Sequence, residues 1–260
     1  MEKDKRFIDK IGGEEMDYFT ILKPGQRLRQ IRKRLGLTQG DLSAENMSKN
    51  YISMFENGKR PINVINATYL ADILNSKAKE MGINLNITSS YFIKSEKDIA
   101  KELCLDSFNI VLDKSNRNKH EKYRELYKII YLSQKYDLPD LLAKALKLKG
   151  KFLYREGLYS CAITHFSESL LLFFKEGDIN GISKSYLAIG QSYFMDNNYE
   201  MAITYYNLAS LYGNEDKILY YKALSYYKLG NIVTTRGILD RIIFKDERVL
   251  ELEKYISNFI

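Results

Sequence analysis

Two groups of side chains have types and spacings that could do chemistry. Lys49 and Asn50 stand side by side at the start of a short amphipathic stretch. A lysine can donate to guanine O6 and N7, and an asparagine can pair with adenine N6 and N7. Ser48, Tyr51 and Met54 lie on the same stretch, the last two suited to a thymine methyl. Asn57, Lys59 and Arg60 follow it and can hold phosphate, which fixes register without reading bases. In the second group, Lys144, Lys147, Lys151 and Tyr154 fall on one face of a helical pattern. Catalysis is not indicated. His120 sits in a polar Asn-Lys-His-Glu-Lys run and reads as surface, and His165 reads as packing or surface. Cys104 and Cys161 read as structural thiols, and no nucleotide loop, zinc spacing or nucleophile motif is present. No cofactor and no metal are expected.

The first group needs helices to present it. Residues 24–35 read as a helix: Pro24 is tolerated in a first turn, Leu28, Ile31 and Leu35 make one apolar stripe, and Gly36 ends it. Thr38 with Asp41 is a start signal for a second, short helix. Ser48 caps a third over 48–56, with Ile52 and Phe55 inward, closed by Asn57-Gly58 and Pro61. A fourth is expected at about 63–74 through Val64, Leu70, Ile73 and Leu74. Residues 23–60 hold nine basic side chains against three acidic ones, so +6 of the chain's net +7 lies in this block. A compact basic segment is the electrostatic footprint of a polyanion binder.

Short helices with a tight turn before the third are the geometry that places one helix in a major groove. The string Leu37-Thr38-Gln39-x-Asp41-Leu42-Ser43 with Ser48-x-x-Tyr51-Ile52-Ser53-x-Phe55-Glu56-Asn57-Gly58 resembles the Cro/C1-type (XRE) DNA-binding domain over residues 20–75. From Leu42 to Met47 the turn is one residue shorter than in the common phage-repressor version and holds no glycine; it looks like the version in Gram-positive peptide-pheromone regulators. The resemblance makes Ser48, Lys49, Asn50 and Tyr51 the base readers, with Met54 one turn on. It implies that Gln39 bonds a phosphate and braces the readers. Asn57, Lys59 and Arg60 become phosphate clamps, and Arg32 with Glu56 an ion pair tying the first helix to the third.

The C-terminal two thirds repeats itself. Gly150 and Gly190, Tyr159 and Tyr199, Ala162 and Ala202, and Phe166 and Tyr206 are each 40 residues apart, and Gly157, Asn197 and Gly230 align at a turn, as do Leu153, Tyr193 and Tyr226. Such periodicity means stacked helical hairpins. The clearest unit, Tyr186-x-x-Ile189-Gly190-x-x-Tyr193 with Tyr199-x-x-Ala202-x-x-x-Tyr206-x-x-Ala209, resembles a tetratricopeptide repeat (TPR). Three repeats are expected over 140–246. Helices opening at Ser95 and spanning 119–135 precede them, and a capping helix over 247–260 closes them. The repeat's inward positions would be Lys144, Lys147, Lys151, Tyr154 and Arg155; then Lys184, Leu187, Gln191, Phe194 and Met195; then Lys217, Tyr220, Tyr221, Leu224, Tyr227 and Lys228. Lysines can take a carboxylate, Gln191 can bond extended backbone, and aromatic rings can hold apolar side chains, so the groove suits a short peptide.

The whole chain thus reads as all-α: a helix-turn-helix bundle followed by a right-handed α-solenoid of TPR-like helical hairpins. The expected division is an extension over 1–19, a DNA-binding domain over 20–78, a linker over 79–94 and a regulatory domain over 95–260. This combination resembles the RRNPP family of peptide-pheromone-responsive regulators. The resemblance implies a cytoplasmic homodimer that binds double-stranded DNA at a palindromic operator and senses a short signalling peptide. The alternative is a repressor or antitoxin-like regulator whose repeats only dimerise or hold a protein partner. The longest apolar run, 170–174, is far short of a membrane span. The codons for Gly12-Gly13-Glu14-Glu15 could spell a ribosome-binding site, which would put the natural start at Met16.

Overall fold

A computed structural model describes residues 20–45, 47–115, 118–213 and 216–257. The expected start at Met16 and the extension over 1–19 lie outside the described residues. Among those described, the chain is all-α, with one isolated backbone bridge between Ala44 and Met47. It divides into two compact units, the first reaching Asn109 and including 135–137, the second made of 110–134 and the chain from Leu138 onward.

In the first unit, α1 (Pro24–Arg34) ends at Gly36, whose φ of 68° is left-handed. A 3-10 turn (Gly40–Leu42) follows. The Thr38 hydroxyl accepts from the Asp41 amide at 3.3 Å, and the Asp41 carboxylate takes the Thr38 amide at 2.6 Å, the reciprocal cap that the sequence signals. Helix α2 (Lys49–Glu56) starts on Ser48, whose hydroxyl accepts from the Tyr51 amide at 3.2 Å. Helix α3 (Val64–Glu80) is capped by Asn63 and runs six residues beyond the expected Leu74, because Ala78 carries its buried stripe one turn onward. Leu28, Leu42, Ile52, Leu70 and Leu74 close the core from all of these elements. Gly25 is required by packing: a Cβ there would lie 2.0 Å from the Phe55 carbonyl oxygen, so α1 and α2 meet backbone to backbone.

Residues 79–94, expected as a linker, pack on this same core. The Asn75 side chain holds Ile87 by both backbone groups, donating to its oxygen at 2.8 Å and accepting from its amide at 3.1 Å. Phe92, on α4 (Ser90–Ile93), is fully buried in the helix-turn-helix core. The buried Arg27 guanidinium lies 5.5 Å over the Tyr91 ring and donates to the Lys94 carbonyl. A Ser95–Asp98 cap then opens α5 (Glu96–Leu112).

In the second unit, α6 (Lys119–Lys135) precedes three helical hairpins. These are α7 (Pro139–Arg155) with α8 (Tyr159–Glu176), α9 (Ile179–Met195) with α10 (Tyr199–Ser210), and α11 (Asp216–Lys228) with α12 (Ile232–Leu239). Each helix packs against the next. The repeat register follows from contacts that only small residues allow. A Cβ on Gly150 would sit 2.7 Å from the Phe166 ring, and one on Gly190 would sit 2.5 Å from the Tyr206 ring. The equivalence reaches the hydrogen bonds. Ser169 donates to the Ala143 carbonyl at 2.7 Å; one repeat later Ser183 donates to the Ala209 carbonyl at 3.2 Å, the same pair of positions with roles exchanged. Gly157, Asn197 and Gly230 all adopt left-handed φ, 78°, 60° and 76°, and the next amide returns to Leu153, Tyr193 and Tyr226 respectively. Helix α13 (Glu247–Ser257) buries Val249, Leu252 and Ile256 against Leu219, Ala223, Ile238 and Leu239. It is the expected cap as far as Ser257; Phe259 and Ile260 lie outside the described residues.

Candidate nucleic-acid interface

The last turn of α2 is held from behind. Glu56, 3% exposed, receives Arg32 through two bonds, Nε to Oε1 at 2.6 Å and Nη2 to Oε2 at 2.9 Å. Arg32 Nη1 also reaches the Leu37 carbonyl at 2.8 Å, and Gln39 donates to Glu56 Oε2 at 2.8 Å. One carboxylate therefore ties α1, the start of the 3-10 turn and α2 together. Burial alone would raise its pKa, but the bonds from Arg32 and Gln39 outweigh burial and hold it below the usual carboxylate range. The bond to Glu56 raises the Arg32 pKa in turn.

This frame leaves Lys49 and Asn50 exposed on the first turn of α2, at the end that the Ser48 cap fixes. The other expected readers are more constrained. Tyr51 is half-buried; its hydroxyl donates to the Pro61 carbonyl at 3.1 Å and the Arg60 guanidinium lies 4.8 Å over its ring. Tyr51 and Arg60 thus form one stacked pair. Met54 is half-buried beside them. Gln39 commits its amide nitrogen to Glu56, which braces α2. Asn57 turns its amide back onto the Ser53 carbonyl at 2.8 Å, while Lys59 is exposed after the left-handed Gly58. Arg29, Lys33 and Arg34 are exposed on α1 and add to the cationic surface of this unit. Sequence reasoning did not single them out as contacts, since only the net charge of the block signals them.

The second unit sorts the expected groove residues into three sets. Lys147 and Lys151 on α7 lie in electrostatic contact with Lys184 on α9, Lys147 also with Lys144, and Lys151 also with Arg155 and with Lys217 on α11. Burial first, and then these like charges, push Lys147 down to about 8, and Lys151 is lowered for the same reasons. Tyr154 stacks edge-on with Tyr159 at 5.6 Å, and Phe194 with Tyr199 at 5.3 Å. Leu187, expected to line the groove, is instead buried with Ala202, Tyr206 and Ile218. Tyr220, Leu224 and Tyr227 pack with the capping cluster, where Arg248 lies 5.2 Å over the Tyr220 ring. Gln191 is half-buried and Met195 and Lys228 are exposed.

The helix-turn-helix family HTH_3 matches residues 28–81, from within α1 to just past the end of α3. The match marks residues 28–81 as a helix-turn-helix domain, and the protein is a helix-turn-helix DNA-binding regulator. No curated protein matches the chain. Of the solved structures, Bacillus thuringiensis PlcR in complex with the peptide PapR7 and DNA is similar at 14% identity and a TM-score of 0.32, covering 91% of this chain and 99% of that one. Among the described residues no helix is long and apolar enough to cross a membrane, and no group of His, Cys, Asp and Glu is placed to hold a metal ion.

Proposed function

We propose that this protein is a homodimeric transcription regulator that reads a palindromic operator with the N-terminal turn of α2 and answers to a short peptide bound by its helical hairpins. One observation carries the DNA half: Lys49 and Asn50 project from the Ser48-capped start of a helix whose far end Glu56 and Arg32 anchor to α1. Rigid presentation matters because a bidentate base contact tolerates little misplacement. Asn57, Lys59 and Arg60 then serve as the phosphate side of the interface, with Ser48, Tyr51 and Met54 beside the readers. The peptide half rests on the cations of α7, α9 and α11, where Lys147 and Lys151 meet Lys184 and Lys151 meets Lys217, and on Tyr154 one turn beyond Lys151 with Tyr221 as its neighbour. A peptide that prefers one arrangement of the hairpins would shift the spacing of two DNA-binding heads in a dimer.

A second reading, in which the hairpins hold a protein partner or only a second copy, is favoured by one feature. Val233, Ile243 and Phe244 are 86%, 80% and 81% exposed. The Ile243 and Phe244 amides are both held by the Asp216 carboxylate, so the pair is presented on an ordered turn. Fluorescence anisotropy on a selected operator separates the two readings. Synthetic peptides that change operator affinity support the first; indifference to every peptide, with dimerisation lost on Phe244→Glu, supports the second.

A further inference from the structure

The segment that leaves α2 is fixed at several points. The Gly58 amide donates to the Phe55 carbonyl at 2.9 Å and the Lys59 amide to the Met54 carbonyl at 2.8 Å, which closes the helix end over the left-handed Gly58. Arg60 then precedes Pro61, and a residue before proline is confined to extended backbone. Tyr51 ties the loop from the other side: its hydroxyl donates to the Pro61 carbonyl at 3.1 Å. The Tyr51 backbone is itself held, since its amide donates to the Ser48 hydroxyl at 3.2 Å, and its side chain packs on the core of the unit. Over that anchored ring lies the Arg60 guanidinium, 4.8 Å from the centroid. Arg60 is exposed, and among the described residues no ion pair occupies it. Arg32, by contrast, spends its guanidinium on Glu56.

An aromatic face attracts a cation without neutralising it, so the charge of Arg60 stays available to the DNA backbone. A guanidinium already held over a ring loses less freedom when its planar fork takes a phosphate. A tyrosine that read a thymine methyl would need its ring free, whereas this ring is engaged by the core and by a cation, and its hydroxyl proton is committed. We propose that Tyr51 is a positioning residue of the DNA interface: it presents the Arg60 guanidinium to a phosphate and reads no base itself. This inference rests on α2 lying at the DNA, as read above, and fixes one role within that reading, in which Tyr51 acts through Arg60.

Full-length Tyr51→Leu, Tyr51→Phe, Arg60→Ala and the double variant Tyr51→Leu/Arg60→Ala are titrated on a selected operator and on a random duplex at several salt concentrations. Arg60→Ala is expected to weaken both duplexes alike and to lower the slope of log affinity against log salt by about one. Tyr51→Leu is expected to weaken both by the same factor, about two- to fivefold, the worth of a cation–π contact at an exposed site. Tyr51→Phe keeps the ring and should stay near wild type. The double variant should bind no worse than Arg60→Ala alone. A shifted preference at one base pair in Tyr51→Leu overturns the proposal and makes Tyr51 a reader. A Tyr51→Leu loss that persists undiminished in the Arg60→Ala background also overturns it, because the tyrosine then acts on the fold of α2. Equal losses in Tyr51→Phe and Tyr51→Leu overturn the stack in favour of the Pro61 bond. Lys49→Ala in the same titrations separates this role from the reading helix. If operator preference survives Lys49→Ala while Tyr51 and Arg60 stay coupled, the base-reading assignment falls and the positioning role stands. If circular dichroism shows Tyr51→Leu unfolded, nuclear magnetic resonance of arginine-labelled protein decides. An upfield ring-current shift of the Arg60 side chain in wild type and in Tyr51→Phe supports the stack, and its absence from wild type overturns it.

Discussion

Arg32 and Glu56 meet through two parallel hydrogen bonds of 2.6 and 2.9 Å, joining α1 to the last residue of α2 across the middle of the DNA-binding unit. The pair is nearly dry, with 11% and 2% of the two side chains exposed. Removing one partner leaves the other charge buried and uncompensated. Glu56→Ala is expected to destabilise this unit by about 3 kcal/mol, in the range for breaking a buried pair. Urea unfolding followed by circular dichroism checks it, and a loss under about 1 kcal/mol would make the pair a surface-like one.

The same carboxylate sets an acid limit. Its folded pKa lies below the unfolded one, so its contribution is complete above the unfolded value of about 4.3 and disappears as pH falls through the folded value. Thermal unfolding of the wild type is expected to lose midpoint steadily below about pH 4, and the Glu56→Gln variant to show a flatter acid limb. Parallel limbs would mean that other groups set the limit.

Reading and clamping separate by their effect on sequence preference. Lys49→Ala or Asn50→Ala is expected to cost about 1–3 kcal/mol on the operator and to relax one base pair each. Lys59→Ala should weaken all sequences alike and reduce the slope of log affinity against log salt by about one. Titrations at several salt concentrations, on operator and on random DNA, distinguish these outcomes.

Two glycines test the packing directly. Gly25→Ala places a methyl against the Phe55 carbonyl, a backbone atom that cannot swing away, whereas Gly190→Ala meets the Tyr206 ring. Both are expected to destabilise by about 1–3 kcal/mol, the range for overpacking. Gly25→Ala should also lower DNA affinity, because it displaces α1 from α2. Gly190→Ala should raise the unfolding loss of the second unit alone, as read by hydrogen exchange.

Asn197 holds the left-handed turn position that glycine fills at 157 and 230. Asn197→Ala is expected to cost about 1 kcal/mol and Asn197→Gly to be near neutral, since alanine keeps the Cβ penalty of the left-handed region and loses the side-chain bond, whereas glycine loses both. Equal effects of the two would contradict the left-handed assignment.

The local signals were legible because capping is short-range. Thr38 with Asp41, Ser48 and Asn63 each announce a helix start within three residues, and the left-handed positions 36, 58, 157, 197 and 230 announce the ends. The repeat was legible because Gly150 and Gly190 must face large rings, which fixes a spacing of 40 residues. What escaped is tertiary. The stripe of α3 continues past Leu74 through one alanine, Ala78, set among polar residues, which carries little periodic weight. The 81–94 segment is anchored by one asparagine side chain and one phenylalanine, a pattern without period. The destinations of Leu187, Tyr220 and Tyr227 depend on neighbours in later hairpins and on the capping helix, which repeat position alone does not specify.

Selection from a randomised duplex library with the full-length protein tests the central claim most directly. The expected outcome is a two-fold symmetric site with half-sites about one helical turn, ~34 Å, apart. Lys49→Ala and Asn50→Ala should each erase preference at one symmetric position of that site. A library that stays random, or an enriched site that both variants select unchanged, would contradict the assignment of α2 as the reading helix.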